Sequence, residues 1–600
     1  MRSEVAPLRS AGGPLLGGLP MLQWGRAYDR STFIDDGVAA LIVTLMLIPQ
    51  SLAYAMLAGL PAQAGLYASI APLLAYAVFG SSRVLAVGPV AVISLMTATA
   101  VGTVAVPGTA EHAAAALTLA ALSGAVLLIM GALRLGFVAH FLSHPVTSGF
   151  ITASAILIAA GQLKTLLGIK AEGHTLPQIL ASVAGQWSSV HGLTLAVGAV
   201  TTIFLFWARS GVRPALTRRG VSARTADLVA KAAPVGAIVL STALSWGLDW
   251  QASGLKVVGA IPAGMPPLTW PQWDADLWRA LAMPAVLISI VGFVESVSVG
   301  QTLAARRRER IEPNRELVAL GAANLSAACT GGFPVTGGFS RSVVNAEAGA
   351  RTPAAGVFTA AGILLASLFL TPALRALPLA TLAATIVVAV LSLADLGALK
   401  HTWEQGRADF AALLVTLVST LVVGVETGLA AGVLVSLALH LLRTSRPHIA
   451  EVGRIPGTEH FRNVLRHETV THPAVLSLRI DESLYFANAR TLEDHINAAV
   501  SGRPELVHVV LQCSAVNDID ASAQDSLQAI DQRLREGGMT LHLSEVKGPV
   551  MDRLTRSGFL KHLSGRVFLT HHQAVEALTP VGSATTRSTG APAPDSIQTI

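Results

Sequence analysis

The sequence predicts an α-helical polytopic membrane protein with a soluble α/β domain at its C-terminal end. Of its 600 residues, 52% are hydrophobic and 13% are charged, whereas soluble domains carry roughly 25% charged residues. Long apolar runs dominate from about residue 32 to residue 442. After Arg443 the composition changes to that of a soluble domain. We therefore expect an integral membrane part followed by a separate soluble part.

The change in composition sets four expected regions. Residues 1–30 precede the first long apolar segment and lack a cleavable signal pattern, so we expect a cytosolic N-terminal segment. Residues 31–445 should form the transmembrane part and residues 455–580 the soluble domain. The last residues, 581–600, are rich in Ser, Thr, Ala and Pro and predict a disordered tail.

Fourteen apolar segments follow one another through the membrane part. A spanning helix needs about 20 mostly apolar residues, and several segments are shorter or interrupted by Gly and Pro. Their expected positions are 36–58, 64–80, 89–106, 112–131, 140–163, 191–208, 231–248, 281–303, 315–329, 336–349, 354–372, 378–394, 409–424 and 427–443.

Lys and Arg indicate how the segments are oriented, because cytosolic loops carry an excess of both. With the N-terminus inside, the inside segments hold 20 Lys and Arg before the soluble domain, and the outside loops hold 5. The basic loop Ala304–Leu317 is cytosolic in this orientation. The asymmetry predicts an even number of spans in the cell (inner) membrane, with the N-terminus and the soluble domain both in the cytoplasm.

A weak internal repeat relates the two halves of the membrane part. Pro89 opens the third segment and Pro334 precedes the tenth, 245 residues later. The same shift carries the first segment onto the eighth and Gln50 onto Glu295. Because seven spans is an odd number, the second copy enters the membrane in the opposite orientation. Interrupted segments at matching places in two inverted halves predict a binding site near the bilayer midplane.

The tenth segment contains GGFPVTGGFSRSVVN, Gly331–Asn345, in which four glycines and a proline interrupt an apolar helix. Irregular backbone is tolerated inside a membrane only where it is buried in protein or lines a wet cavity. Helices that begin near Thr336–Ser340 and near Pro89 present free N–H groups and positive dipole ends, which bind anions. Arg341 adds a full charge and a fork of donors suited to an oxyanion. The two breaks and the arginine together predict an anion site.

The C-terminal domain alternates apolar β runs with amphipathic helices. The runs PAVLSLRI, ELVHVVLQC and MTLHLSEV are typical of strands. ARTLEDHINAAV and AQDSLQAIDQRLREGG have the period of amphipathic helices. The alternation predicts an α/β unit of about 110 residues.

Three stretches of the membrane part resemble the SulP anion permeases, relatives of the animal anion-exchanger and prestin group. They are IPQSLAYAMLAGLPAQAGLYASIAPLLAYAVFGSSRVLAVGPVAVIS (48–94), FVESVSVGQTLA (293–304) and GGFPVTGGFSRSVVNAEAGA (331–350). The C-terminal domain resembles the STAS domain of that family. The resemblance implies a seven-plus-seven inverted repeat divided into core and gate domains, with half-helices in segments 3 and 10. It also implies a homodimer and an elevator-type movement of the core.

The resemblance further implies a site between segments 1, 3, 8 and 10, most similar to that of the proton-coupled sulfate branch. Glu295 matches the proton-coupling position of that branch. The positions that match substrate contacts are Gln50, Tyr54, Val90, Ala91, Phe339, Ser340 and Arg341.

Each of these polar residues also has a structural interpretation. Arg341 could extend to an interface or form a fixed ion pair, and Glu295 could serve only to neutralise it. Ionisable residues inside a membrane are nevertheless functional by default. Gln50 and Tyr54 share a helix face, and Gln50 could instead satisfy the backbone left open by Pro49.

One serine of the soluble domain is a candidate for modification. Ser522, in NDIDASAQDSL (517–527), matches the regulatory phosphoserine of related STAS proteins. Ala521 departs from the Ser or Thr that often precedes that serine. The alternative is a helix N-cap, formed by Ser522 or by Asp520.

The function that these features predict is secondary transport of a small inorganic oxyanion, with sulfate taken up by H⁺ symport. Na⁺-coupled bicarbonate transport, C4-dicarboxylate transport and an anion channel or exchanger are alternatives within the family. A STAS-centred signalling protein with a membrane anchor is an alternative outside it, but an anchor does not need paired broken helices. A channel does not need a protonatable Glu295.

We expect no enzymatic activity, because the apolar part holds no nucleophile–base–acid set and no metal motif. Neither a cofactor nor a bound metal is expected. The net charge of +6 suits a membrane protein with a basic cytosolic side and needs no nucleic acid to explain it. The expected partners are the anion, the proton, the lipid bilayer and a second copy of the chain.

Overall fold

The computed structural model describes residues 20–579 and 585–587, except for residues 27, 141–142, 174, 223–225, 227–228, 231, 261 and 263. The chain separates into two compact units, Met1–Ser436 and Leu437–Ile600. Most of the predicted N-terminal segment, residues 1–19, lies outside the described residues, and so does the predicted tail apart from residues 585–587.

The first unit is built almost entirely from helices. Its two short strands are β1 (Val87–Gly88) and β2 (Thr336–Gly337). The helices defined by the described residues are α1 (Pro20–Arg26), α2 (Arg30–Leu57), α3 (Ala62–Tyr67), α4 (Ala71–Phe79), α5 (Ala91–Gly102), α6 (Ala110–Ala132), α7 (His144–Leu167), α8 (Leu176–Gly185), α9 (Gly192–Trp207), α10 (Arg213–Arg218), α11 (Ala233–Gly247), α12 (Ala275–Arg307), α13 (Pro313–Cys329), α14 (Phe339–Glu347), α15 (Ala354–Phe369), α16 (Leu379–Leu391), α17 (Gly397–Gln405), α18 (Arg407–Val422) and α19 (Val425–Ser445).

Each of the fourteen predicted segments contains a helix, although the number that cross the bilayer stays a prediction. The third and tenth segments hold only short helices, α5 and α14, because Pro89 and the glycines around residue 337 interrupt them. Seven helical stretches of the described residues are long and apolar enough to cross a membrane. They are Arg30–Leu57, Ala62–Phe79, Ala110–Ala132, His144–Leu167, Gly192–Arg218, Ala275–Arg307 and Thr427–Ser445.

The helices of the first unit pack as two groups. In one group, α13 lies against α4 and α6, α6 against α12, and α15 against α2. In the other, α7 lies against α9, α16 and α18. The groups meet mainly where α2 and α5 contact α7, α11 and α16. The broken helices α5 and α14 both belong to the first group, which corresponds to the predicted core domain.

The second unit is an α/β domain around one mixed sheet. Its strands are β3 (Ile449–Arg454), β4 (Phe461–Asn463), β5 (Thr469–Thr471), β6 (Val475–Ile480), β7 (His508–Gln512), β8 (Thr540–Ser544), β9 (Val567–Phe568) and β10 (Thr585–Arg587). Its helices are α20 (Ala489–Val500), α21 (Ala521–Glu536), α22 (Gly548–Arg556), α23 (Phe559–His562) and α24 (His571–Leu578). The strand order is β10-β5-β3-β6-β7-β8-β9, with β4 paired to β3.

The sheet is parallel from β6 to β9, and β3 joins β6 in the antiparallel direction. The central strands read as continuous apolar runs because helices cover their buried faces. Leu478, Leu511 and Leu543 are fully or almost fully buried, and Leu492 of α20 and Leu527 of α21 pack into the same core. The predicted α/β architecture of this domain is therefore confirmed.

Two expected limits of the soluble domain differ from the structure. The sheet begins at Ile449, before the predicted boundary at residue 455, because β3 pairs with β6. Three residues of the predicted tail, Thr585–Arg587, form β10 against β5, and disorder of the tail stays a prediction. The remaining residues of the segment 581–600 lie outside the described residues.

Two buried histidines of the second unit make hydrogen bonds within the domain, and the bond of His542 requires the neutral ring. Nδ1 of His542 accepts from the backbone N–H of Arg566 at 3.0 Å, so its Nε2 carries the proton that faces Thr540 Oγ1 at 2.9 Å. His571 Nδ1 lies 2.7 Å from the hydroxyl of Ser544. Burial lowers the pKa of His542 to about 4, aided by His508 and Arg566 and opposed by Asp531. Burial also lowers the pKa of His571 to about 4, against the opposing charge of Glu545.

We expect the second unit to lose stability on acidification from pH 6.5 towards pH 4, because both rings have pKa values of about 4 when folded and 6.5 as the ordinary value. Between these values the unfolded chain binds more protons, so the free energy of unfolding falls as pH falls. The measurement is the urea midpoint of a fragment of residues 437–580, followed by circular dichroism at pH 7.5 and pH 5.

Two variants make this test specific. His542→Asn keeps an acceptor for the Arg566 N–H and removes one titrating ring, so its midpoint should depend less on pH. His460→Asn changes an exposed histidine and should leave the pH dependence as in the unchanged fragment. An unchanged fragment with equal midpoints at both pH values would contradict the assignment of neutral buried rings.

Candidate anion-binding site

The two breaks expected from the sequence meet as a two-stranded antiparallel pair. Val87 pairs with Gly337 and Gly88 with Thr336, and the Gly338 N–H donates to the Ala86 carbonyl at 3.1 Å. Helix α5 follows β1 and helix α14 follows β2. Because the strands are antiparallel, the two half-helices leave the pair at its opposite ends.

Both half-helices begin with backbone N–H groups that the described residues leave unbonded. The N-cap residues are Val90 for α5 and Gly338 for α14, and neither contributes a side-chain cap. The first intrahelical bonds are Ser94 N–H to Val90 O and Ser342 N–H to Gly338 O. The described chain offers no acceptor to the three N–H groups before each of these bonds. Such helix starts carry partial positive charge and bind anions.

Arg341 lies in the first turn of α14, where its side chain is 2% exposed. Its Nε donates to Ala86 O at 2.8 Å and its Nη1 to Pro89 O at 2.7 Å. Its Nη2 donates to Gly88 O at 2.7 Å and to Thr336 O at 2.9 Å. Four of the five guanidinium N–H groups therefore go to carbonyl oxygens of the two breaks, and one on Nη1 is left for another acceptor.

The position of Arg341 bears on its two structural interpretations, extension to an interface and a fixed ion pair. Its burial does not fit an arginine that extends to an interface. All four of its hydrogen bonds go to neutral backbone groups rather than to a carboxylate, so no ion pair with Glu295 forms within the described residues. The positive charge therefore lies beside the two helix starts without an ion pair in the described residues, while the fork of donors holds the backbone.

Glycines surround the guanidinium because larger residues would collide with it. A Cβ atom on Gly338 would lie 2.8 Å from Nε of Arg341, and one on Gly88 would lie 3.2 Å from Nη1. Gly88 also has φ +155°, which disfavours any other residue. One glycine of each break, Gly88 and Gly338, is thus explained by close approach to the same arginine.

Other polar residues of α14 satisfy the remaining backbone of the first break. The hydroxyl of Ser342 accepts from the Ala86 N–H at 2.9 Å, and Nδ2 of Asn345 donates to Val84 O at 3.0 Å. Together with Arg341, these side chains give α14 a polar face that binds the strand β1 and its flanks. The motif RSVVN therefore acts as a backbone-binding motif in this structure.

Four of the other predicted residues lie at the same two helix starts, and two lie on α2. Phe339 and Ser340 open α14 and are exposed, whereas Val90 and Ala91 are buried at the start of α5. Gln50 and Tyr54 lie one turn apart on α2, with Tyr54 9% exposed.

Glu295, on α12, is partly exposed and makes neither a hydrogen bond nor an ion pair within the described residues. Tyr54, Glu295 and Arg341 lie close enough for their charges to interact. A free carboxylate therefore faces the same region as an arginine without a counter-ion. The roles of these residues towards an anion and a proton stay predictions.

Ser522 of the second unit occupies the second residue of α21 and is exposed. The N-cap of this helix is Asp520, whose side chain accepts from the Ala523 N–H at 2.8 Å. Asp520 therefore fills the capping role that the sequence left open between the two residues. Phosphorylation of Ser522 stays a prediction.

Sequence reasoning missed three polar residues that hold β2 in place. Asn324 of α13 donates to Val335 O and accepts from Val335 N–H, both at 2.9 Å. Ser296 of α12 and Thr336 of β2 share a hydrogen bond of 2.7 Å. All three are buried polar residues in apolar surroundings, and that combination is the signal that could have singled them out.

Two fully buried carboxylates hold the loops next to the strand pair and were also missed. Glu316 of α13 accepts from the hydroxyl of Tyr76 at 2.9 Å and from the N–H and hydroxyl of Ser81. Asp36 of α2 accepts from the N–H groups of Arg351 and Thr352. These bonds are internal to the first unit and engage both carboxylates with protein donors.

The chain matches two family models. Residues 33–416 match the sulfate permease family, and residues 466–574 match the STAS domain. The chain is 34% identical over 576 residues to sulfate transporter 4.1, chloroplastic, of Arabidopsis thaliana. This alignment covers 93% of this chain and 82% of the relative. It is 32% identical over 585 residues to high affinity sulfate transporter 2 of Stylosanthes hamata, covering 94% and 86%.

Solved structures share the fold. Murine Solute Carrier 26 family member A9, an anion transporter captured in the inward-facing state, superposes with a TM-score of 0.85 over 96% of each chain, at 23% identity. The transmembrane domain of a cyanobacterial bicarbonate transporter superposes with a TM-score of 0.57 at 21% identity, over 68% of this chain and 98% of that domain.

These matches define the chain as a multi-pass membrane anion transporter with a C-terminal STAS domain, and not an enzyme. The chain belongs to the sulfate permease family. The resemblance inferred from the sequence, and the combination of a SulP-type membrane fold with a STAS domain, are thereby confirmed.

We expect Arg341→Lys to lower anion affinity by about tenfold or more and to reduce thermal stability, although it keeps the charge. A lysine ammonium cannot reproduce the planar fork that reaches four diverging carbonyls, and each lost charged hydrogen bond is worth about 1.5–3 kcal/mol. The measurements are the melting temperature in detergent and sulfate binding by calorimetry.

The matched control for this substitution is Arg279→Lys. Arg279 is 79% exposed and pairs with Asp276 on the surface of α12, so both quantities should stay unchanged. Wild-type affinity and melting temperature in Arg341→Lys would show that only the charge of Arg341 matters, and the backbone-holding role would be wrong.

Proposed function

We propose that this chain is a secondary active transporter of a small inorganic oxyanion, most directly sulfate taken up with protons. The observation that carries the proposal is the guanidinium of Arg341, bonded only to neutral carbonyls, between two half-helix starts with unbonded N–H groups. That arrangement supplies positive charge and free donors. The relatives whose names describe sulfate transporters support sulfate as the anion.

The proposed anion lies between the first turns of α5 and α14. It accepts from the N–H groups that follow Val90 and Gly338, and from the hydroxyl of Ser340. Arg341 contributes its charge and its one free N–H rather than a bidentate grip. Gln50 and Tyr54, from α2, close the site with further donors.

Glu295 supplies the proposed coupling to protons. An ionised carboxylate and an anion repel each other by about 4 kcal/mol at 4 Å when the effective dielectric constant is about 20. Protonation of Glu295 removes that repulsion, so the anion binds more tightly to the protonated site. By linkage, the bound anion also favours the proton on Glu295. The loaded site then carries both together, which is symport.

The two packed groups of helices suggest how the site could move. Both half-helices and α12 belong to the same group, so anion and proton sites travel as one body. An elevator-type slide of that group against α7, α9, α16 and α18 would expose the site to each side in turn. This movement is part of the proposal. A cysteine cross-link that holds the two groups of helices together should therefore abolish transport.

The proposed setting is the cell (inner) membrane, with the N-terminus and the STAS domain in the cytoplasm and two copies forming a homodimer. The excess of Lys and Arg in the inside segments supports the orientation. A cysteine replacing exposed Arg490 should react only in permeabilised cells. Mass photometry of the detergent-solubilised protein should give the mass of a dimer.

We expect the purified protein in liposomes to accumulate sulfate under an inward proton gradient, and Glu295→Gln to lose that accumulation. The glutamine mimics the protonated carboxyl group, so the variant should still bind sulfate, with little dependence on pH. Counterflow exchange should continue, since it needs no proton release. The measurement is uptake of labelled sulfate, bicarbonate and succinate under separate H⁺ and Na⁺ gradients.

Glu312→Gln is the matched control, because this carboxylate is 61% exposed and pairs with Arg315 away from the site. It should accumulate sulfate like the wild type. Equal accumulation of sulfate by the wild type and by Glu295→Gln would contradict the coupling role of Glu295. Uptake of bicarbonate or succinate, or dependence on Na⁺, would identify one of the alternative transporters instead.

A further inference from the structure

A chain of hydroxyl groups links the helix that carries Glu295 to the strand that precedes α14. The Gly337 N–H donates to Ser296 Oγ at 2.9 Å. Ser296 Oγ lies 2.7 Å from Thr336 Oγ1, and Thr336 Oγ1 donates to Gly292 O at 2.6 Å. Because the threonine proton goes to Gly292, Ser296 must donate to Thr336. The chain therefore has one direction, and each hydroxyl both accepts and donates.

The position of this chain ties two parts of the proposed site together. Ser296 directly follows Glu295, and Gly292 lies one turn earlier on the same helix, α12. Thr336 lies in β2, and its carbonyl accepts from Nη2 of Arg341. The turn that carries the carboxylate is thus attached to the strand that carries the arginine.

Close packing makes this attachment tight. Ser296 is fully buried and Thr336 is 1% exposed. A Cβ atom on Gly292 would lie 3.0 Å from Thr336 Oγ1, so the glycine lets β2 approach the helix. Glu295 itself makes no direct bond to α14 within the described residues, so these hydroxyl bonds carry the polar contact between α12 and β2.

We propose that Ser296 and Thr336 are positioning residues that set how strongly a proton on Glu295 changes anion affinity. The proposal rests on the proposed function and deepens it. The interaction between a carboxylate and an anion falls as their separation grows and as water enters between them. A looser contact between α12 and β2 therefore weakens the coupling, even where the anion can still bind to the half-helix starts.

The chain offers variants that separate positioning from folding. Ser296→Ala removes the acceptor of Gly337 and the donor to Thr336, and Ser296→Cys keeps the side chain near its size while weakening both bonds. Thr336→Val keeps the shape of threonine without its hydroxyl. Thr336→Ser keeps the hydroxyl and should restore the wild-type behaviour.

Ser289→Ala is the matched control on the same helix. Ser289 is 1% exposed, and its hydroxyl donates to Ala285 O at 2.7 Å and to Ser123 O at 3.1 Å. It is therefore a buried serine of α12 that bonds to α6 instead of β2. Loss of this hydroxyl should affect stability in a similar way and leave the coupling unchanged.

The experiment is the sulfate dissociation constant of the full-length purified protein at pH 5.5 and pH 7.5, and the readout is the ratio of the two values. Coupling between two sites is typically about 5- to 150-fold in affinity. We expect Ser296→Ala and Thr336→Val each to lower the ratio by about threefold or more. If Ser296→Ala does not fold, Ser296→Cys takes its place. Thr336→Ser and Ser289→Ala should keep the wild-type ratio.

The outcomes separate this inference from the function on which it rests. A wild-type ratio in the Ser296 variants and in Thr336→Val, whatever their absolute affinity, would overturn the positioning role alone. A ratio lowered equally in Ser289→Ala would also overturn it, because general loosening of α12 would then explain the effect. A wild-type protein whose sulfate affinity does not change with pH would overturn the proton coupling and the positioning role together.

Discussion

The structure of the membrane unit depends on how the open backbone of its two breaks is satisfied. Peptide groups without partners cost several kcal/mol each inside a membrane. The carbonyls of Ala86, Gly88 and Pro89 all accept from Arg341, which lies about 250 residues later in the chain. Ser342 and Asn345 satisfy further groups of the same segment. The starts of α5 and α14 are fixed where they are because this face of α14 fits that backbone.

The proposed anion site depends on the same contacts that satisfy the open backbone. A carboxylate opposite Arg341 would have satisfied its charge and left nothing for a ligand. Neutral carbonyls satisfy its donors and leave its charge in place, beside the unbonded N–H groups of two helix starts. The same residue thus holds the broken backbone together and makes the site attractive to an anion. In the proposed mechanism, Glu295 then supplies a negative charge that protonation removes.

The sequence alone predicted the parts of this arrangement that depend on composition and local pattern. The two-unit division, the helical segments, the breaks at Pro89 and at the glycines around residue 337, and the α/β domain all follow from local residue types. The partners of Arg341 could not be predicted, because pairing it with Ala86 requires knowing how segments 255 residues apart in the chain meet. Strands β4 and β5 were missed since each has only three residues and no clear alternation.

The most direct test of the central claim is a structure of the protein with selenate, whose selenium identifies the bound anion by anomalous scattering. The account predicts a selenium peak between the first turns of α5 and α14, near the N–H groups that follow Val90 and Gly338. It also predicts that Arg341 keeps its bonds to Ala86, Gly88 and Pro89 with the anion bound. A peak elsewhere, or an Arg341 side chain that leaves those carbonyls to grip the anion with both Nη atoms, would contradict it.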